Sequence, residues 1–175
     1  MNLHTLTQTN IVYNDLIDIN NNFLKDSILS SSKRMSEDVT DTRYEDYTFT
    51  VSKKLEYLIR SIQNEYKNAF QKDLQLIDFW SQIHFYNEST NLHNHVDSNN
   101  LEKSSDISGV YYVNVPKDCG KLVFDYSINQ FQTKRYYMNP VEGRYILFPS
   151  TLNHFVTKNK SKEKRISISF NFKIK

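Results

Sequence analysis

The chain has 175 residues, enough for one domain with a real core, and its 22 Lys and Arg against 20 Asp and Glu leave a net charge of +2. That near balance gives no global electrostatic case for a nucleic-acid or membrane partner, and no apolar run approaches the length of a bilayer span. The single cysteine, Cys119, excludes an internal disulfide and fits a reducing compartment, so a cytoplasmic protein is expected.

The N-terminus, Met1 to Thr5, lacks the basic-then-apolar pattern of a signal peptide. Residues 1–14 read as a first strand, best at Ile11, Val12 and Tyr13. Leu16, Ile19, Phe23, Leu24 and Ile28 then repeat at helical spacing and predict a helix from about Asp15 to Leu29. Residues 30–50 turn polar and read as a loop. Val51, Leu55, Leu58, Ile59, Ile62, Tyr66 and Phe70 follow the period of an amphipathic helix, with Thr50 or Ser52 as its cap, so this segment is expected to pack against a sheet.

From Leu76 onward the period changes from helical to alternating. Strands are predicted at Phe79–Tyr86, Ile107–Val113, Lys121–Asp125, Lys134–Met138, Arg144–Phe148, His154–Thr157 and Arg165–Lys173, with a polar loop at Ser98–Asp106. So many short strands joined by short turns predict a barrel or sandwich rather than β-α units. Gly120 and Gly143 fall at turns, and Gly109 is placed on a strand facing the site described next, where a missing side chain would allow close approach. No repeat or second domain is apparent. A single domain over 1–175 is expected, with helical support at about 15–70 and a β core at about 76–173.

Chemistry concentrates at His93-Asn94-His95-Val96-Asp97. In an extended strand residues two apart share a face, so the imidazoles and the carboxylate would converge, and two histidines with one carboxylate suit non-haem Fe(II). A barrel that folds back on itself supplies a distant third ligand in His154. Eleven residues later Arg165 and Ser167 share one strand face, a guanidinium and a hydroxyl suited to a carboxylate. His4 and His84 lie outside this constellation and are expected to be structural or exposed. The run Lys158, Lys160, Lys162 and Lys164 reads as a solvated hairpin.

The same segments carry a resemblance. Trp80-Ser81, Asn91-Leu92-His93-Asn94-His95, Ser108-Gly109-Val110-Tyr111-Tyr112-Val113 and Gly120-Lys121-Leu122-Val123-Phe124 stand in order. Pro140-Val141-Glu142-Gly143-Arg144-Tyr145-Ile146-Leu147-Phe148-Pro149-Ser150 and Arg165-Ile166-Ser167-Ile168-Ser169-Phe170-Asn171 follow. Over about residues 76–172 the chain resembles the 2-oxoglutarate- and Fe(II)-dependent oxygenases, and is most similar to the bacterial and phage group related to prolyl hydroxylases.

The resemblance implies a mainly β fold with supporting N-terminal helices: a double-stranded β-helix, the cupin-like jelly roll. It implies Fe(II), 2-oxoglutarate and O2 as cofactor and cosubstrates, and hydroxylation with release of succinate and CO2. A peptidyl, prolyl-type side chain is the expected substrate. The implied iron ligands are His95, Asp97 and His154, the anionic Asp97 favouring a divalent ion, with His93 as the alternative to Asp97. Arg165 would pair with the distal carboxylate of 2-oxoglutarate, helped by Ser167 and the Tyr112 phenol, and Tyr86 would line the cosubstrate pocket. Two other functions stay open. One is a jelly roll that only binds; the other is a nucleic-acid-directed oxygenase, disfavoured because that branch carries a second arginine where this chain has Asn171.

Overall fold

The computed structural model describes residues 9–175 except positions 42, 98 and 130. Strand β1 (Val12–Asp15), helix α1 (Asn21–Ser31), strands β2 (Lys33–Arg34) and β3 (Asp46–Thr48) and helix α2 (Lys53–Phe70) come first. There follow β4 (Leu74–His84), β5 (Thr90–His93), a 3-10 turn at Leu101–Lys103, β6 (Ile107–Asn114), β7 (Leu122–Asn129), β8 (Gln132–Met138), β9 (Arg144–Pro149), β10 (Asn153–Val156) and β11 (Arg165–Ile174). They form a major sheet, β1-β9-β6-β11-β4-β3-β2, and a minor sheet, β5-β10-β7-β8, with every pairing antiparallel. This is the expected mainly β jelly roll with helices laid on one sheet. Among the described residues no helix is long and apolar enough to cross a membrane.

Helix α2 matches its predicted stripe. Leu55, Leu58, Ile59, Ile62 and Tyr66 are buried, Ser52 Oγ accepts from the Leu55 N–H at 3.2 Å, and Gln71 closes the helix in the left-handed region at φ 57°. Helix α1 starts six residues later than expected. The Leu16 N–H is bound by the Gly143 carbonyl, which ties it to the sheet, and Asn20 provides the cap by accepting from the Phe23 N–H. The first strand appears as β1, while residues 1–8 of the expectation lie outside the described residues. The expected loop at 30–50 contains β2 and β3, which extend the major sheet. They escape a period-based reading because each is only two or three residues long. Arg34 ties the segment together by donating to the Tyr44 carbonyl at 2.7 Å and lying over the Tyr44 and Tyr47 rings.

The central strands of the major sheet have two distinct faces. On β11, Ile166, Ile168, Phe170 and Phe172 join Leu55, Leu58 and Ile62 of α2 and Leu24 and Ile28 of α1 in the larger apolar core. The alternate residues, Arg165, Ser167, Ser169 and Asn171, face the minor sheet. Their neighbours on β4 are His84, Gln82, Trp80 and Asp78, and on β6 Ser167, Ser169 and Asn171 stand beside Tyr112, Val110 and Ser108. The space between the sheets is therefore lined on this side by polar groups. Gly109 stands on a strand facing the space between the sheets, as expected, and its backbone lines that space, but its missing side chain lies on the opposite face. A Cβ there would stand 2.6 Å from Leu147 Cδ2, on the helix side, so its missing side chain serves packing of β6 on β9. At Gly120 (φ 89°) a Cβ would collide with the Thr157 carbonyl, and the turn requires glycine.

Strand β3 brings two carboxyl groups, Glu45 just before it and Asp46 within it, into the structure at 9% and 7% exposure. Burial is the largest cause raising both pKa values, to about 7 for Glu45 and about 6 for Asp46, although the Gln82 amide donates to Asp46 Oδ1 at 3.1 Å. An unfolded Asp ionises near pH ~3.9. Between that value and about 6 the folded chain keeps a proton at Asp46 that the unfolded chain releases, so stability falls as pH rises through this window. Asp46→Asn, which keeps the oxygen that Gln82 uses, is expected to raise the melting temperature at pH 7.5 and leave it unchanged at pH 4. Thermal unfolding at the two pH values checks this.

Candidate active site

Strands β5 and β10 place His93 directly opposite His154, with ring centres 4.3 Å apart. His95 follows the end of β5 and is pulled back to them because its N–H donates to the Ser150 carbonyl at 2.9 Å. One ring nitrogen from each of the three histidines lies within 4.8 Å of the others. Trp80 stacks on His95 at 5.6 Å, and Phe148 packs edge-on against His154 at 4.7 Å. These groups line a narrow cleft whose own volume is only about 20 Å³.

The hydrogen bonds fix the proton on each ring. His93 Nδ1 faces the Asn91 carbonyl and His154 Nδ1 faces the Leu152 carbonyl, both at 2.8 Å. A carbonyl only accepts, so each Nδ1 carries the hydrogen and each Nε2 keeps its lone pair. His95 Nδ1 lies 2.8 Å from Asn171 Oδ1, which sets the same tautomer. His95 Nε2 and His154 Nε2 then face each other at 3.3 Å with no proton between them. Such a contact repels unless a cation lies between. Two imidazole nitrogens ~2.1 Å from one metal ion, on adjacent coordination positions, stand ~3 Å apart. Burial, the largest cause, and the neighbouring imidazoles push His95 down to about 4 and His154 to about 3, and burial lowers His93. All three are neutral at physiological pH, the form that binds a metal. The donor set fits a divalent transition metal.

Asp97 does not join them. Its Oδ1 accepts from the backbone N–H groups of Asn99 and Asn100 at 2.9 and 3.2 Å, and the residue is exposed. The expected alternation fails because β5 ends at His93. Beyond it Asn94 Oδ1 accepts from the Val96 N–H, turning the chain, and Asp97 starts the next turn. His93 occupies the place expected of Asp97. Tyr86 lies past the end of β4 and is 61% exposed, apart from the buried residues of the site.

Farther along the inner face of β11 is a second polar cluster. Arg165 is 1% exposed, and Ser167 and Tyr112 are fully buried. The guanidinium Nη1 donates to Ser167 Oγ at 3.3 Å and to His84 Nδ1 at 3.2 Å. Since Arg165 has only hydrogens to offer, His84 Nδ1 is an acceptor, and its Nε2–H donates to Thr90 Oγ1 at 2.8 Å. Burial and the adjacent Arg165 hold the His84 pKa well below its usual value, so the ring adds no charge. Sequence reasoning left His84 outside the site, because a single histidine at the end of a strand carries no signal of its own. Among the described residues no carboxylate pairs with Arg165, and its Nε and the Tyr112 hydroxyl have no hydrogen-bond partner. The guanidinium carbon lies 5.3 Å from the centre of the Tyr112 ring. Burial raises the Tyr112 pKa and keeps its phenol a donor. A buried cation and a phenol with unused hydrogens fit an anion such as a carboxylate.

Comparison with known proteins agrees with this chemistry. The model of a family described as "Putative 2OG-Fe(II) oxygenase" matches residues 78–171, more than half of the chain. No curated protein matches the sequence. Among solved structures, a 2OG-Fe(II) oxygenase family oxidoreductase from Burkholderia pseudomallei has 13% identity and TM-score 0.55; the match covers 74% of this chain and 60% of that one. The non-heme alpha ketoglutarate dependent carbocyclase SnoK from nogalamycin biosynthesis has 8% identity and TM-score 0.70, over 94% and 79% of the two chains. A Trichoplax adhaerens prolyl hydroxylase in complex with a hypoxia inducible factor peptide fragment has 14% identity and TM-score 0.66, over 93% and 82%. At these identities the structural likeness establishes the fold alone.

Single alanine substitutions of His93, His95 and His154 are each expected to weaken Co(II) or Fe(II) binding by more than the ~10–100-fold typical of losing an outer partner of a ligand. Asp97→Ala is expected to keep wild-type affinity. Metal titration followed by absorbance checks all four. Loss of binding in Asp97→Ala together with retention in His93→Ala would restore Asp97 as a ligand.

Proposed function

The chain belongs to the 2OG-Fe(II) oxygenase family whose model it matches, and from that premise we propose that it hydroxylates a peptide side chain at a metal held by His93, His95 and His154. It is a 2-oxoglutarate-dependent oxygenase, with Fe(II), 2-oxoglutarate and O2 as its cofactor and cosubstrates. When bound, Fe(II) couples the decarboxylation of 2-oxoglutarate by O2, which yields succinate and CO2, to the transfer of one oxygen atom into a substrate C–H bond.

The protein's own residues set the conditions for that chemistry. Three neutral imidazoles present Nε2 lone pairs to one point and leave the charge of a divalent ion undiminished for an anionic cosubstrate. Arg165 receives the distal carboxylate, with the Tyr112 phenol and Ser167 hydroxyl as additional donors. His84 and Thr90 hold the guanidinium from behind. Trp80 and Phe148 screen the imidazoles from water. The observation that carries the reading is the buried Arg165 with no carboxylate partner among the described residues. The hydrogen bonds to Ser167 and His84 offset only part of the cost of burying this cation, and its charge and its Nε–H await an anion.

The peptide substrate is supported by the seam between the sheets. Strands β1 and β8 are outer strands of the two sheets, and a groove of about 470 Å³ between them is lined by Tyr13, Tyr126, Tyr136, Phe124 and Leu152. The Phe124 ring stands between this groove and the metal site, with its centre 6.3 Å from that of His154. An extended peptide can pair with such a strand edge and lay apolar side chains on the aromatic wall.

Arg165→Gln is expected to raise the 2-oxoglutarate concentration for half-maximal succinate formation by ~30-fold or more, with Co(II) affinity unchanged. No succinate above background from the wild-type chain with Fe(II), ascorbate, O2 and peptide extract would overturn the oxygenase function. In a screen of peptide and small-molecule extracts by mass spectrometry, a gain of one oxygen is expected in the peptide fraction. A gain confined to small molecules would contradict the peptide substrate.

A further inference from the structure

Of the three histidines, two have their tautomer fixed by backbone carbonyls, which no side-chain substitution removes. His95 alone depends on a side chain, the amide of Asn171. An amide can present either its oxygen or its nitrogen, and the two choices have opposite consequences. With Oδ1 toward the ring, His95 Nδ1 carries the hydrogen and Nε2 is free to bind a metal. With Nδ2 toward the ring, Nδ1 must accept, the hydrogen moves to Nε2, and it lies between His95 and His154 across their 3.3 Å separation, where it blocks the cation.

Two sets of neighbours select the first state. Asp78 stands directly opposite Asn171 on β4, and a carboxylate there, which only accepts, favours the NH2 end of the amide on its side. On the other flank Ser108, the β6 partner of Asn171, donates to Oδ1 at 2.8 Å. Ser108 has spent its one hydrogen there, so at its 2.8 Å contact with Ser150 Oγ it accepts. Ser105 donates in turn to Ser150 Oγ at 2.8 Å. The hydroxyls form a directed chain, Ser105 to Ser150 to Ser108 to Asn171, that ends on the amide oxygen. Ser150 also holds the His95 N–H through its carbonyl.

We propose that Asn171 is a positioning residue for the metal centre: oriented by Asp78 and the serine chain, its amide oxygen locks His95 in the metal-binding tautomer. This rests on the trihistidine reading of the site, but its first consequence is visible without metal. In the metal-free chain, two-dimensional 15N–1H spectra of the imidazoles distinguish the tautomers. His95 is expected as Nδ1–H in the wild type and in Asn171→Asp, whose carboxylate can only accept. In Asn171→Leu an Nε2–H population is expected, with Co(II) affinity lowered ~10–100-fold. Asn171→Asp is expected to bind Co(II) far more tightly than Asn171→Leu.

Should Asn171→Leu fail to fold, Asn171→Ala carries the test, since it removes the amide without adding bulk. A mixture of His95 tautomers with weaker Co(II) binding is expected. Nδ1–H retained in full, with wild-type Co(II) affinity, in either Asn171→Leu or Asn171→Ala would overturn the role of Asn171. A wild-type chain that shows the Nδ1–H tautomer yet does not bind Co(II) would instead overturn the metal reading.

Discussion

Strand β11 is hydrogen-bonded along both edges, to β4 and to β6, and so must satisfy two different environments at every second residue. Its outward residues, Ile166, Ile168, Phe170 and Phe172, anchor both helices, each fully buried aliphatic or aromatic side chain contributing about 1.5–3 kcal/mol. That apolar face lets the inner face be polar. Arg165, Ser167, Ser169 and Asn171 occupy a buried row that would be untenable in a strand with no other source of stability. A one-residue slip in register would bury the row among the helices and turn the phenylalanines toward the histidines.

The charges of the site are complementary in a particular way. The three imidazoles are neutral, Arg165 is a cation without a carboxylate among the described residues, and His84 adds no charge behind it. A trihistidine set therefore leaves all the negative charge to be supplied by the cosubstrate, a dicarboxylate that can neutralise metal and guanidinium together. A carboxylate ligand at Asp97 would have offset part of the metal's charge within the protein. The chain uses that carboxylate for a turn instead.

Much of this was legible in the sequence, and the failures have physical causes. The alternation of β11, the stripe on α2, the placing of the distant His154 beside His93 and the shared strand face of Arg165 and Ser167 are periodic or spaced signals that survive folding unchanged. Asp97 misled because His-x-His-x-Asp alternates perfectly in letters, whereas the strand stops at its first histidine and Asn94 turns the chain. Tyr86 lies just past the end of its strand, where the alternation no longer sets its direction. His84 and Asn171 were not readable as site residues, because each acquires its role only from the residue opposite it in the sheet: Arg165 for His84, and Asp78 and Ser108 for Asn171. Cross-strand register is a tertiary fact that no local pattern contains.

The most direct measurement is an anaerobic crystal structure of the chain with Fe(II) and 2-oxoglutarate, with anomalous scattering recorded at the iron edge. Expected is a single iron peak bonded to Nε2 of His93, His95 and His154, with a carboxylate of 2-oxoglutarate on the Arg165 guanidinium and the Tyr112 hydroxyl. An iron bound through Asp97, or a 2-oxoglutarate that leaves Arg165 unpaired, would contradict it.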